Sequence, residues 1–330
     1  MTDRTRVAVL GAGAFGTALA NVAARAGCRV SLWAREAATV AEINGRRTNL
    51  SRLPGAQIHD QVTATASLEQ ALAADIVLVV VPAQALRQVL AACAPHVLPG
   101  TPLVVCAKGI ERSTGRFLSD VVGEVAPVGL PAVLSGPSFA ADIDRGLPTA
   151  VTVAAAEETV ARRLAAALGS PAFRLYHSTD VRGVEIGGAT KNVLAIAAGI
   201  VAGRRLGASA TAAITARGFA EMTRFGTHFG AKAQTMMGLS GLGDLILSCA
   251  SVQSRNFALG HALGEGKGLD LLSGKGALAE GALTAEILVE KAREAGIDMP
   301  IAEAVDAVLG GIIDVDEAIV QLMARPQRAE

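Results

Sequence analysis

Near the amino terminus the chain reads Val7-Ala8-Val9-Leu10-Gly11-Ala12-Gly13-Ala14-Phe15-Gly16-Thr17-Ala18-Leu19-Ala20, and the architecture follows from it. An apolar run that reads as a strand is followed at once by glycines at the spacing Gly-x-Gly-x-x-Gly, and then by helix formers. Gly11 permits a tight turn, Gly13 lets the backbone meet a pyrophosphate, and Gly16 allows the helix to pack closely. The free N–H groups and positive dipole end at the helix start favour an anion. Glycine spacing alone is a weak sign. Strand, turn, helix and a second strand over residues 29–33, in that order, make it a dinucleotide-binding signature.

Moving outward, short β-rich runs over residues 76–81, 103–106 and 132–134 alternate with helical periodicity over residues 17–26, 37–44 and 83–92. Residues 150–153 and 173–176 add two further candidate strands. Such alternation predicts a parallel sheet with helices on both faces, a doubly wound α/β fold. Beyond residue 178 the strand signals stop, and helical segments are expected over residues 184–201, 208–226 and 283–295. Pro300 opens another helix with Ile301, Ala304, Val305 and Val308 on its apolar face, and residues 317–324 form the last. The expected organisation is a dinucleotide-binding domain over residues 1–178 and an all-helical domain over residues 179–330. The glycine-rich residues 264–276 are expected to form a mobile loop.

Composition narrows the function classes. A chain of 330 residues is too long for one ordinary core, and its 51% apolar content supplies ample surface to bury. Thirty basic residues balance thirty acidic ones without a dense cationic run, which argues against nucleic acid as a partner. The start of the chain does not read as a secretory signal, so a cytoplasmic location is expected. The apolar tracts at residues 76–81 and 193–202 fall short of the roughly 20 residues of a membrane span, so the chain is not expected to span a bilayer. Cys28, Cys93, Cys106 and Cys249 are far apart, the histidines are scattered, and no metal site is predicted.

Several polar residues stand out against this apolar background. Arg35, just past the second predicted strand, suits a ribose 2′-phosphate and so NADP(H), while the adjacent Glu36 leaves NAD(H) open. Lys108 follows the strand at 103–106, where it either points into the ligand crevice or is a surface lysine. Lys191 shares one helical face with Gly188, Asn192, Ala195, Ala198 and Gly199. Either something bulky lies against that strip of small residues, or two helices pack there and the lysine reaches out to water. Ser254-Arg255-Asn256 opens a helix, offering a hydroxyl, a guanidinium and free N–H groups to a phosphate. The plainer alternative is an N-cap serine beside a solvated arginine.

Taken together, the glycine turn, Lys108-Gly109, Ser135-Gly136-Pro137-Ser138-Phe139-Ala140, Gly187-Gly188-Ala189-Thr190-Lys191-Asn192, Gly241-Leu242-Gly243-Asp244-Leu245 and Ser254-Arg255-Asn256 resemble the NAD(P)-dependent glycerol-3-phosphate dehydrogenase family over nearly the whole chain. The resemblance implies a Rossmann-type sheet followed by a helical substrate domain, and an oxidoreductase acting on dihydroxyacetone phosphate or sn-glycerol 3-phosphate with NADP(H) or NAD(H). It implies that Lys191 is the catalytic acid/base, and that Lys108, Gly136, Ser138, Asp244, Ser254, Arg255 and Asn256 hold substrate. It further implies that Ala14, Phe15, Arg35, Lys108, Ala140, Arg255, Leu278 and Glu280 touch the cofactor. Ala107, Thr190 and the sequence Arg52-Leu53-Pro54-Gly55 depart from the usual family residues without removing a reactive group.

Chemically, such a reduction needs a hydride, a proton for the forming alkoxide and an anchor for the phosphate. Lys191 is the expected proton donor, oriented with the substrate hydroxyl by Asp244, Asn192 and Ser248, and Arg255 is the expected anchor. Competing expectations are a dehydrogenase of a phosphate-free hydroxy or keto acid and a dinucleotide-sensing regulator without chemistry. The apolar helical half, rich in small residues, also suggests a homodimer.

Overall fold

The computed structural model describes residues 4–267 and 279–326. The chain divides into two compact units, Met1–Lys108 with Arg116–Glu185 and Gly109–Gly115 with Ile186–Glu330.

The first unit is built on eight strands: β1 (Arg6–Leu10), β2 (Arg29–Trp33), β3 (Val62–Thr65), β4 (Ile76–Val79), β5 (Pro102–Val105), β6 (Leu130–Ser135), β7 (Thr149–Ala155) and β8 (Phe173–Ser178). Their order is β3-β2-β1-β4-β5-β6-β7-β8. Val9 of β1 pairs with Leu32 on one side and Leu78 on the other, so strand order reverses at β1. A crevice at the carboxyl ends of strands flanking such a reversal is where these sheets bind ligands. Because side chains alternate across a strand, two cores form. Val7, Val9, Leu32, Leu78 and Val104 face one layer, while Ala8, Leu10, Val77, Val79 and Val105 face the other. The first layer is covered by α1 (Ala14–Arg25), α6 (Ala140–Asp144) and α7 (Glu158–Leu168), and the second by α3 (Leu68–Leu72), α4 (Leu86–Cys93) and α5 (Leu118–Val125). Fully burying one Val or Leu side chain contributes about 1.5–3 kcal/mol, so both faces of the sheet add to stability.

Three features depart from the sequence expectation. The sheet is not wholly parallel, since β7 runs antiparallel to β6, Ser135 pairing with Thr152 and Ala132 with Ala155. The link between them, residues 136–148, holds only the short α6, which Asn21 and Arg25 tie to α1 through Asp144 and the Ile143 carbonyl. The chain therefore turns back beside β6 instead of crossing over. The strand expected over residues 76–81 ends at Val79, although the Val80 N–H still donates to the Leu10 carbonyl at 2.9 Å. Strand β3 also joins the edge of the sheet, although its sequence, Val-Thr-Ala-Thr, carries little apolar signal.

The second unit is helical: most of α8 (Val181–Gly203), then α9 (Ala208–His228), α10 (Ala233–Met236), a π-helical turn (Leu239–Gly243), α11 (Asp244–Cys249), α12 (Arg255–Gly264), and the helices Glu280–Glu294, Pro300–Leu309 and Val315–Met323. By length and composition α8 could cross a membrane, contrary to what the short tract at 193–202 suggested. Its apolar window is 89% buried inside the protein, which makes it a core helix. Part of the glycine-rich stretch expected to be mobile is helical, since α12 runs to Gly264; residues 268–276 lie outside the described residues.

Candidate active site

In the first unit β1 delivers the chain to Gly11, whose φ of +115° suits glycine, and a Cβ there would lie 2.6 Å from the Val80 carbonyl oxygen. A Cβ on Gly16 would lie 1.9 Å from the Gly11 carbonyl oxygen, so only glycine lets α1 start this close. Gly13 immediately precedes α1, is exposed, and has no side-chain cap. A Cβ on Gly13 would meet nothing within 4 Å. An open, uncapped helix start fits a pyrophosphate, whose oxygens can take the first-turn N–H groups. Ala14 and Phe15 are half-buried beside it.

At the end of β2, the Trp33 indole N–H donates to the Ala66 carbonyl at 3.1 Å. Arg35 is exposed and has no hydrogen-bond or ion-pair partner among the described residues. Elsewhere in the unit, Lys108, Gly136 and Ser138 come together. Lys108 Nζ donates to the Gly136 carbonyl at 3.1 Å and Ser138 Oγ to the same oxygen at 2.9 Å. A Cβ on Gly136 would sit 2.9 Å from Val151 Cα, which keeps that junction tight. Ala140 opens α6 half-buried.

In the second unit the small residues of α8 are matched by other backbones. Gly187 meets the π-helical turn, its missing Cβ lying 2.5 Å from the Ser240 carbonyl oxygen. Further along, Gly199 and Gly203 face the carbonyls of Phe257 and His261, while Gly260 and Gly264 face those of Ile196 and Ile200. A helix, α12, thus fills much of the strip that the sequence left open to something bulky. Lys191 lies one turn after Gly187, on the same face. Its amine donates to Ser248 Oγ at 2.7 Å and stands 3.2 Å from Asp244 Oδ1. Ser248, one turn after Asp244 on α11, in turn donates to Asp244 Oδ1 at 3.4 Å. Lys191, Asp244 and Ser248 are all buried. Charge-assisted hydrogen bonds in such surroundings fix a side chain's position strongly.

Next to this cluster, Asn256 Nδ2 donates to Asn192 Oδ1 at 2.9 Å, and Asn256 Oδ1 accepts the Gly281 N–H at 2.8 Å. Ser254 caps α12, its hydroxyl accepting the Phe257 N–H at 3.3 Å. Arg255, the first residue of α12, is exposed and has no partner among the described residues. Its guanidinium and the adjoining helix start can bind a phosphate. Glu280 opens the helix Glu280–Glu294, whereas Leu278 lies outside the described residues.

Sequence reasoning passed over two buried carboxylates and one polar seam. Glu185 accepts the Ser119 N–H and Oγ–H, each at 2.7 Å, and burial pushes its carboxyl up to about 7. Glu221 accepts the N–H groups of Ile301 and Ala302 at 2.8 and 3.2 Å, and burial raises it likewise to about 7. In the first unit Thr17 and Asn21, a turn apart inside the otherwise apolar α1, meet polar groups of residues 49–59. A polar pair at helical spacing within a buried run was the available signal.

The chain is similar to known proteins over its whole length. A family model described as NAD-dependent glycerol-3-phosphate dehydrogenase N-terminus matches residues 6–161, and its C-terminus counterpart matches residues 180–320. Glycerol-3-phosphate dehydrogenase [NAD(P)+] of Azorhizobium caulinodans is 62% identical over 100% of both chains. The protein of the same description from Bradyrhizobium sp. (strain BTAi1) is 59% identical, again over 100% of both. Among solved structures, glycerol-3-phosphate dehydrogenase from Coxiella burnetii superposes with a TM-score of 0.92 at 36% identity, covering 98% of this chain and 99% of that one. The chain belongs to the NAD-dependent glycerol-3-phosphate dehydrogenase family.

Proposed function

We propose that the chain catalyses the reversible reduction of dihydroxyacetone phosphate to sn-glycerol 3-phosphate with NADPH or NADH, supplying the glycerophospholipid backbone. The observation that carries this reading is the buried amine of Lys191, held by Ser248 and Asp244 at 2.7 and 3.2 Å. The reduced nicotinamide, when bound, supplies the hydride. Gly11, Gly13, Ala14, Phe15 and Gly16 would hold its pyrophosphate, and Arg35 a 2′-phosphate where one is present. Lys191 gives a proton to the carbonyl oxygen as the alkoxide forms, a contribution typically worth about 10²–10⁴-fold. Asp244 and Ser248 orient that amine, and Asn192 and Asn256 brace the helix that bears it. Arg255 grips the phosphate, so that binding energy far from the reacting carbon positions the ketone. Lys108, Gly136, Ser138 and Ser254 are proposed as further substrate contacts, with Ala140, Leu278 and Glu280 at the cofactor.

A cytoplasmic setting is supported by four free, buried cysteines, Cys28, Cys93, Cys106 and Cys249, which suit a reducing compartment. Exposed Ile312, Val320 and Met323 on the helical unit favour a homodimer, which sedimentation would report as twice the chain mass.

The test of the activity is absorbance at the nicotinamide band with purified protein, NADPH or NADH, and dihydroxyacetone phosphate. Oxidation should be rapid with the phosphorylated ketone and slow with dihydroxyacetone. Turnover of a phosphate-free keto acid instead, or of nothing, would sink the proposal.

A further inference from the structure

In the first unit, Asn49 is completely buried, and its amide reaches the glycine turn. Asn49 Nδ2 donates to the Ala12 carbonyl at 3.0 Å and to Thr17 Oγ1 at 2.9 Å. Since the Ala12 carbonyl can only accept, the amide orientation is determined. Asn49 Oδ1 has no hydrogen-bond partner among the described residues. An unpaired buried acceptor is costly, so this placement is not one that packing alone selects. The segment bearing Asn49 is itself anchored. Glu42 Oε1 accepts Thr48 Oγ1–H and the Leu50 N–H at 3.0 and 2.8 Å, and Asn49's own carbonyl accepts the Leu53 N–H at 2.8 Å.

The Ala12–Gly13 peptide is trans, as are all the described peptides, so its C=O and N–H point in opposite directions. With the carbonyl drawn inward by a buried side chain, the Gly13 N–H faces away from Asn49, and Gly13 is exposed. The flanking contacts are backbone only, Gly11 N–H to the Trp33 carbonyl at 3.1 Å and Thr17 N–H to the Gly13 carbonyl at 2.9 Å. Neither sets the rotation of the peptide between them.

We propose that Asn49 is a positioning residue for the cofactor, which by gripping the Ala12 carbonyl holds the Gly13 N–H outward as a preset donor to the pyrophosphate. The proposal rests on reading the glycine turn as the cofactor site. It follows that Asn49, outside the glycine motif, is part of what sets cofactor affinity.

Trp33, the only tryptophan, lies two residues before Arg35 and serves as the fluorescence probe of binding. NADPH is titrated against its emission in the full-length protein for wild type, Asn49→Ala, Asn49→Asp and Thr17→Val, and steady-state kinetics are recorded beside it. Losing the grip should raise the NADPH Kd about tenfold or more in both Asn49 variants, with kcat at saturating NADPH within about threefold of wild type. Thr17→Val, which keeps the Ala12 contact, should bind within about twofold of wild type. A wild-type Kd in a folded Asn49 variant, or equal weakening in Thr17→Val, would overturn the proposal. So would failure of both Asn49 variants to fold, which would make the residue structural. Absence of NADPH and NADH binding in the wild type would instead remove the cofactor reading beneath it.

Discussion

Lys191 Nζ stands 3.2 Å from Asp244 Oδ1, with the two side chains 9% and 2% exposed, although they come from helices more than fifty positions apart in the chain. Opposite charges withdrawn from water are held only while both are present, and removing one leaves the other stranded.

Lys191→Ala should therefore cost about 3–5 kcal/mol of stability. Adding Asp244→Asn should return part of that loss. Urea denaturation of both singles and the double mutant measures it, and strictly additive losses would mean the pair is not coupled.

Arg35, two residues past β2, has no hydrogen-bond or ion-pair partner among the described residues, and it is the residue proposed to hold a 2′-phosphate. Arg35→Ala should raise the NADPH Kd by about 10–100-fold, the loss expected for hydrogen bonds to a charged group, and leave NADH almost unchanged. Parallel titrations with the two cofactors decide it; equal weakening for both would remove the arginine from cofactor choice.

Packing of α8 on α12 depends on glycine, since a Cβ on Gly260 would fall 2.0 Å from the Ile196 carbonyl oxygen. Gly260→Ala should cost about 1–3 kcal/mol and, by shifting the helix that begins at Arg255, raise KM for dihydroxyacetone phosphate. Unaltered stability and KM would show that α12 can move without consequence.

How far the sequence carries depends on whether a feature is local. The β1 turn and α1 are contiguous, so residues 7–20 expose strand, glycine spacing and helix to direct reading. The direction of β7 is not local, because it depends on α6 docking against Asn21 and Arg25. Strand β3 escaped notice since an edge strand needs little apolar surface. In the helical unit, the small-residue face of α8 was visible around Lys191, but not that carbonyls of α12 and of the π-helical turn fill it. The grouping of Asp244 and Ser248 with Lys191 was expected from the chemistry the reaction needs, and spacing alone does not bring them together. Asn49 lacked any signal, as its partner is a main-chain carbonyl.

Buried Glu221 contributes a pH dependence. Its carboxyl, near Arg224 and Asp298, is raised by burial to about 7 from 4.5. A folded-state value above the unfolded one means that the folded protein binds the extra proton between about pH 4.5 and 7. Its stabilising contribution is thus full below pH 4.5 and is lost as pH rises through 7, by about 3 kcal/mol at most. Denaturation midpoints from pH 5 to pH 8 should fall more steeply for wild type than for Glu221→Gln. Parallel profiles would contradict this.

The most direct measurement is steady-state reduction of dihydroxyacetone phosphate by Lys191→Ala, with NADPH binding followed separately through Trp33. We expect kcat to fall at least about 100-fold while the NADPH Kd stays within about twofold of wild type. Near-normal turnover by the folded variant would contradict the assignment of the proton donor.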